Sequence, residues 1–198
     1  MENSGLYKER LCDISPISED TWSSLRDMAE VRHMDKNALL IGAGSIVNKE
    51  VFVVNGLLRC YVLTTEGKEY TTAFYREGTF VAPYFSRSVH GSSTVSIEVL
   101  ETSELLLFPE QDFTKLRHAN KDLERLAGVV VQQELQHKST KELKLATGNL
   151  RELYAYFQYA YKGMERRVQQ KHIASYLGVD PVSLSRIRKS NHKKESPR

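Results

Sequence analysis

Residues Gln170–Lys189 read QKHIASYLGVDPVSLSRIRK. In this window Ile173, Leu177, Val179, Leu184 and Ile187 are placed so that two short helices would share one apolar seam. Ala174 is small, as a close helix crossing requires. Gly178 suits the positive φ of a sharp turn. Asp180 is a good N-cap and Pro181 a good first helical residue, so a second helix is expected to begin there. That helix would carry Val182, Ser183, Ser185, Arg186 and Lys189 outward. The pattern predicts a helix-turn-helix whose second helix offers its N-terminal residues to base edges in the major groove.

An ordinary helical hairpin would show much the same apolar spacing, and charge separates the two readings. Met164–Arg198 holds nine Lys or Arg against three acids, a net +6. The whole chain is only +3, which leaves −3 for residues 1–163. A basic end on a mildly acidic body is what binding to a phosphate backbone calls for. A solvated tail would account for Lys193 onward but not for Lys171 or Arg186 inside the patterned helices.

Working outward, 198 residues allow one large or two small domains, and 40% hydrophobic content is enough for a real core. The first thirty residues hold Glu2, Lys8, Glu9, Arg10, Asp13 and Glu19 with no apolar run, so no secretory signal is expected. Runs such as Leu105–Phe108 and Val129–Val131 are too short to span a membrane, so a cytoplasmic protein is expected. Cys12 and Cys60 read as two plain thiols. The six histidines show no H-x-H or H-E-x-x-H spacing, so no metal and no cofactor are expected.

Residues 14–30 read as a short helix capped by Ser18, with Trp22, Leu25, Met28 and Ala29 at helical spacing. From Val31 to Phe108 short β-rich runs follow: Leu39–Ile41, Val51–Val54, Leu57–Leu63, Tyr70–Tyr75, Val95–Leu100 and Leu105–Phe108. Gly44, Gly56, Gly67 and Gly78 recur between them at 12, 11 and 11 residues, and Thr65–Lys68 looks like a hairpin turn. Such spacing predicts an antiparallel sandwich or barrel. Glu110–Ala119 predicts a short helix, and residues 121–146 a long one. On the long helix Leu123, Leu126, Val130 and Leu135 form a stripe suited either to self-pairing or to the chain's own barrel; self-pairing is preferred. Asn149–Tyr161 is a further helix that would support the reader. The fold class expected is α+β, divided into residues 1–120, 121–146 and 147–198.

A barrel, a long helix and a C-terminal helix-turn-helix in that order resemble the Crp/Fnr family of bacterial transcription regulators. The likeness is strongest in IASYLGVDPVSLSRIRK, which is similar to the family's I-A-x-x-L-G-x-x-x-x-T-x-S-R-I, with Ser183 in place of Thr. G-x-L-R-x-Y-x-L-x-x-x-G-K-E, from Gly56 to Glu69, also looks like the family's sensor barrel. The resemblance implies a double-stranded β-helix sensor like a cyclic-nucleotide-binding domain, a homodimer, and a winged helix-turn-helix. It implies double-stranded DNA with a two-fold site, a second copy of the chain and RNA polymerase as partners, and no enzyme activity. Arg186 would grip guanine O6 and N7, with Pro181 and Val182 at the other base-reading positions. Ser183, Ser185, Lys171, His172 and Lys189 would meet phosphates.

The sensor departs from the cyclic-AMP-binding pattern. The family's G-E-L, whose Glu meets the ribose, falls on Ala82, Pro83 and Tyr84; its R-S-A, whose Arg meets the phosphate, falls on Ser93, Thr94 and Val95. A buried cyclic phosphate without its Arg would carry an uncompensated cost on the order of several kcal/mol. No response to cyclic AMP is therefore expected, and an unidentified small ligand or none remains open. The alternative within the family is a cyclic nucleotide or other small anion held by Tyr84, Arg87, His90, Ser93 and Thr94, with Ser139 or Thr140 reaching in. The alternative of another class, a cupin-like enzyme, is opposed by the missing H-x-H pair.

Overall fold

The computed structural model describes residues 3–83 and 88–195. Contacts divide the chain into two compact bodies, Met1–Val62 with Phe74–Leu135, and Leu63–Ala73 with Gln136–Arg198. These are not the three segments expected from the sequence. The long helix runs unbroken past residue 135, and the tip of one hairpin goes with the C-terminal helices.

In the first body, helix α1 (Ser4–Cys12) and helix α2 (Glu19–Met28) precede the strands. Ser18 caps α2 by accepting from the Thr21 N–H at 3.3 Å. Helix α1 carries little apolar patterning, and Tyr7 and Leu11 bury it in the core, with Cys12 partly buried beside them. The Tyr7 hydroxyl donates to Glu104, and burial, then that bond, push its pKa up to about 12.

The strands are β1 (Glu30–Met34), β2 (Leu39–Ile41), β3 (Lys49–Leu63), β4 (Glu69–Arg76), β5 (Thr79–Val81), β6 (Ser88–Val89), β7 (Ser92–Ser93) and β8 (Ser96–Pro109). Order in the main sheet is β1-β8-β3-β4, with β2 beside β8 and β5 beside β3. Strands β6 and β7 form a separate two-stranded ladder. Among the described residues the sheet is not closed, which corrects the expected barrel: β1 and β4 end the path unpaired with each other. The turn signal at Gly56 is a bulge inside one continuous strand. Its φ is 104°, and a Cβ there would lie 2.1 Å from the Ser103 Oγ, so only glycine lets β3 pass β8 at this point.

Helix α3 (Glu110–Ala119) leads into the long helix α4 (Lys121–Thr147). Leu123 and Leu126 are fully buried in one core with Trp22, Phe52, Phe80, Phe108 and Phe113, and Val130 is partly buried against it. The dimerisation role expected for Leu123 and Leu126 is therefore corrected: they seat α4 on its own body. Leu135 is 64% exposed and Val131 is exposed beside it.

The second body holds residues 63–73, the end of α4, helix α5 (Leu150–Ala160), a 3-10 turn (Met164–Arg166), helix α6 (Gln170–Leu177) and helix α7 (Pro181–Glu195). Asn149 caps α5 by accepting from the Glu152 N–H at 3.1 Å. Phe157, Tyr161, Met164, Tyr176, Ile173 and Leu184 are buried together in this body's interior. Among the described residues no strand follows Pro109, so the expected wing is not seen; a 3-10 turn and coil join α5 to α6.

Truncating a fully buried side chain costs its transfer energy plus a cavity. Leu123→Ala should destabilise the protein by about 2–5 kcal/mol in urea unfolding. Its sedimentation at low denaturant should be that of the unaltered chain.

Candidate nucleic-acid interface

Helix α6 ends at Gly178, whose φ of 68° is left-handed, and the Val179 N–H closes back on the Ala174 carbonyl at 3.0 Å. Two residues later α7 starts at Pro181. Asp180 stands at its N-cap, accepting from the Ser183 N–H at 2.9 Å and from the Ser183 hydroxyl at 2.7 Å. These bonds, the hydroxyl first, hold the Asp180 carboxyl below the usual carboxylate range. Leu184, with no exposure, pins α7 against the body whose buried residues include Ile173, Ala174 and Leu177 of α6. Val179 and Ile187, expected in the same seam, are half-buried.

On the open side of α7, Pro181, Val182, Arg186 and Lys189 are exposed, and Ser183 and Ser185 are half-buried. Val182 is 60% exposed, large for a valine and without a packing role. Lys171 on α6 is exposed as well. His172 is buried, 5% exposed, so the phosphate contact expected of it is corrected: its ring is turned inward as a core group. The Ser183 hydroxyl is spent on Asp180 and would have to turn from the cap to donate to a phosphate. Arg188, in sequence one more positive charge, has a defined partner. It lies 3.7 Å from Glu165, which also accepts from the Tyr154 hydroxyl, so it ties α7 to the 3-10 turn. Burial first, then the Glu165 bond, raise the Tyr154 pKa.

Chemically this is a row of donors on one helix face. A planar guanidinium offers a fork of N–H groups to paired acceptors, a valine offers apolar contact, and ammonium groups offer point charges.

Tyr84 and Arg87 lie outside the described residues. In the first body His90 is exposed, with a φ of 51°, and Thr94 is exposed. Ser93 is buried, its hydroxyl donating to the Val95 carbonyl at 2.8 Å. In the second body Ser139 is exposed and Thr140 half-buried. Ala82 and Pro83, at the ribose positions, are buried. A cavity of about 430 Å³ in the first body is walled by Phe80, Pro83, Phe113, Leu126 and Val130, with Glu50, Glu110 and Arg117 as charged groups. His90, Ser93 and Thr94 are not among its walls. Among the described residues no group of three His, Cys, Asp or Glu is placed to hold a metal, and no helix is long and apolar enough to cross a membrane.

Residues 31–120 match the cyclic nucleotide-binding domain family. No curated protein sequence matches the chain significantly. Among solved structures the chain is similar to FixK2 from Bradyrhizobium japonicum, with a TM-score of 0.71 at 18% identity over 84% of this chain and 85% of that one. It is similar to the c-di-GMP-responsive global regulator CLP from Xanthomonas campestris, with a TM-score of 0.71 at 13% identity over 91% and 96%. It is also similar to a crp/fnr-family transcriptional regulator from Eubacterium rectale, with a TM-score of 0.68 at 16% identity over 92% and 88%. The chain thus shares the fold of these solved regulators, and residues 31–120 are similar to the cyclic nucleotide-binding domain.

Because the folded-state pKa of Asp180 lies below its unfolded value, the cap stabilises above the unfolded carboxylate pKa, and this is lost as pH falls through the depressed folded value. Asp180→Ala should lower the melting temperature at pH 7. The difference from the unaltered chain should shrink once the pH is below about 4, the ordinary carboxylate pKa. Thermal melts followed by circular dichroism across that range check it.

Proposed function

We propose that this chain is a sequence-specific DNA-binding transcription regulator that works as a homodimer. The α6–α7 pair is read as a helix-turn-helix with α7 in the major groove. The observation that carries the reading is the capped start of α7, where Pro181, Val182 and Arg186 face outward on a helix anchored by buried Leu184. Arg186 is assigned bidentate contact with a guanine and Val182 contact with a thymine methyl, beside Pro181. Lys171, Ser183, Ser185 and Lys189 are assigned to phosphates. Two copies would place their α7 helices about one DNA turn apart on a two-fold site. The dimer surface is assigned to the exposed line Gly128, Val131 and Leu135 on α4, which takes the place of the buried Leu123 and Leu126.

We propose further that cyclic AMP is not the signal. The cassette positions hold Ala82 and Pro83 instead of a ribose-binding acid, and Ser93, Thr94 and Val95 instead of a phosphate-binding arginine. The 430 Å³ cavity supports a second reading, in which a small and largely apolar effector binds between α3, α4 and Phe80.

Sites selected from random duplexes should be two-fold symmetric. On such a site Arg186→Ala should cost about 1–3 kcal/mol of specific affinity and relax one base preference. Lys189→Ala should weaken binding to all sequences alike and lower the salt slope by roughly one unit. Intact specific binding by Arg186→Ala in fluorescence anisotropy would refute the docking. Leu135→Arg should convert the dimer to a monomer in light scattering and lower affinity for the two-fold site by roughly 100-fold or more. Micromolar binding of cyclic AMP in calorimetry would overturn the proposed loss of that signal.

A further inference from the structure

The tip of the β3–β4 hairpin, residues 63–73, shares a compact body with α6 and α7. Two side chains take hold of its main chain. Ser175 on α6 accepts from the Thr71 N–H at 2.9 Å and donates to the Glu69 carbonyl at 2.7 Å. Lys141 on α4, only 7% exposed, donates to the carbonyls of Thr71 at 3.2 Å and Thr72 at 3.1 Å. Its ammonium also stands 3.8 Å from the centre of the Tyr176 ring and 5.1 Å from that of Tyr70. Tyr176 is next to Ser175 in sequence, and its hydroxyl lies 3.3 Å from the His137 Nε2, which the Tyr161 hydroxyl meets at 2.7 Å. The Tyr70 ring reaches the Gly178 turn itself, where a Cβ would come within 3.8 Å of it.

A hairpin tip normally leaves its backbone groups to water or to its own turn. Here Glu69, Thr71 and Thr72 give theirs to two helices, and Tyr70 reaches the turn from which the next helix starts. We infer that this hairpin tip is a positioning element of the DNA reader, with Ser175 and Lys141 as the residues that fix α6 and so the direction in which Gly178 launches α7. The inference rests on the DNA-reading role proposed above.

The test uses the full chain and two readouts. In amide exchange, Ser175→Ala should speed exchange at Thr71 about tenfold, by removing its acceptor, and leave Leu105–Phe108 unchanged. In anisotropy, affinity for a selected site should fall about five- to tenfold, the size of one or two hydrogen bonds. Affinity for an unrelated duplex should hold, because Lys171, Arg186 and Lys189 are untouched. Ser175→Thr, which keeps the hydroxyl, should restore both. Lys141→Gln alters neither α6 nor α7 and should show the same split, so it decides the matter if Ser175→Ala does not fold. A freed tip with an unchanged ratio of specific to non-specific affinity would overturn the inference, as would a Thr71 amide already unprotected in the unaltered chain. Absence of any DNA binding by the unaltered chain would instead sink the DNA-reading role, and the exchange result would still report on the clamp.

Discussion

A buried ammonium must be met by acceptors or it will not stay buried. Lys141 is such a group, and the acceptors it finds are two main-chain carbonyls at the tip of a hairpin seventy residues earlier in the chain. Two aromatic rings stand beside it. This one requirement ties together three pieces that local propensity alone would leave separate: the end of α4, the β3–β4 tip and the first helix of the α6–α7 pair. Burial raises the Tyr176 pKa far above the usual phenol range, with Tyr161 adding to it, so the ring under the ammonium is a neutral partner at any physiological pH.

The geometry of the reader is then a matter of short-range chemistry. Gly178 allows the left-handed turn, Asp180 satisfies the first orphan N–H groups of α7, and Leu184 sets which side of that helix is hidden. From Pro181 to Lys189 the exposed residues are Pro181, Val182, Arg186 and Lys189, cations or small apolar surfaces. Arg186 and Lys189 are exposed, whereas Arg188, two residues from Arg186, is turned to Glu165. Basic residues close together in sequence thus divide by helical phase into exposed cations and a tie to the 3-10 turn.

Much of this was legible in the residues. The bounds of α3, the Ser18 cap, the Gly178 turn and the start of α7 were all readable locally, from turn signals and capping chemistry that act within a few residues. The errors share a cause. Leu123 and Leu126 looked like a pairing stripe because periodicity marks an apolar face without saying what covers it. Gly56 looked like a turn, yet the Ser103 backbone on the neighbouring strand makes it a bulge. His172 looked like a phosphate ligand, because a polar residue at an exposed helical phase and one at a buried phase read alike until the packing is known. Helix α1 went unread because two residues, Tyr7 and Leu11, hold it.

The sequence by itself determined the α6–α7 pair, its polarity of charge and the outward phase of Val182, Arg186 and Lys189 on α7. These are local properties: a cap, a glycine φ, a helical phase or the identity of one side chain. Only the tertiary structure decided that the sheet stays open among the described residues, that α4 spends its first turns on its own core, and that a hairpin tip more than a hundred residues upstream is clamped to α6. Those outcomes turn on which distant backbone groups are within hydrogen-bond reach. No spacing along the chain encodes that.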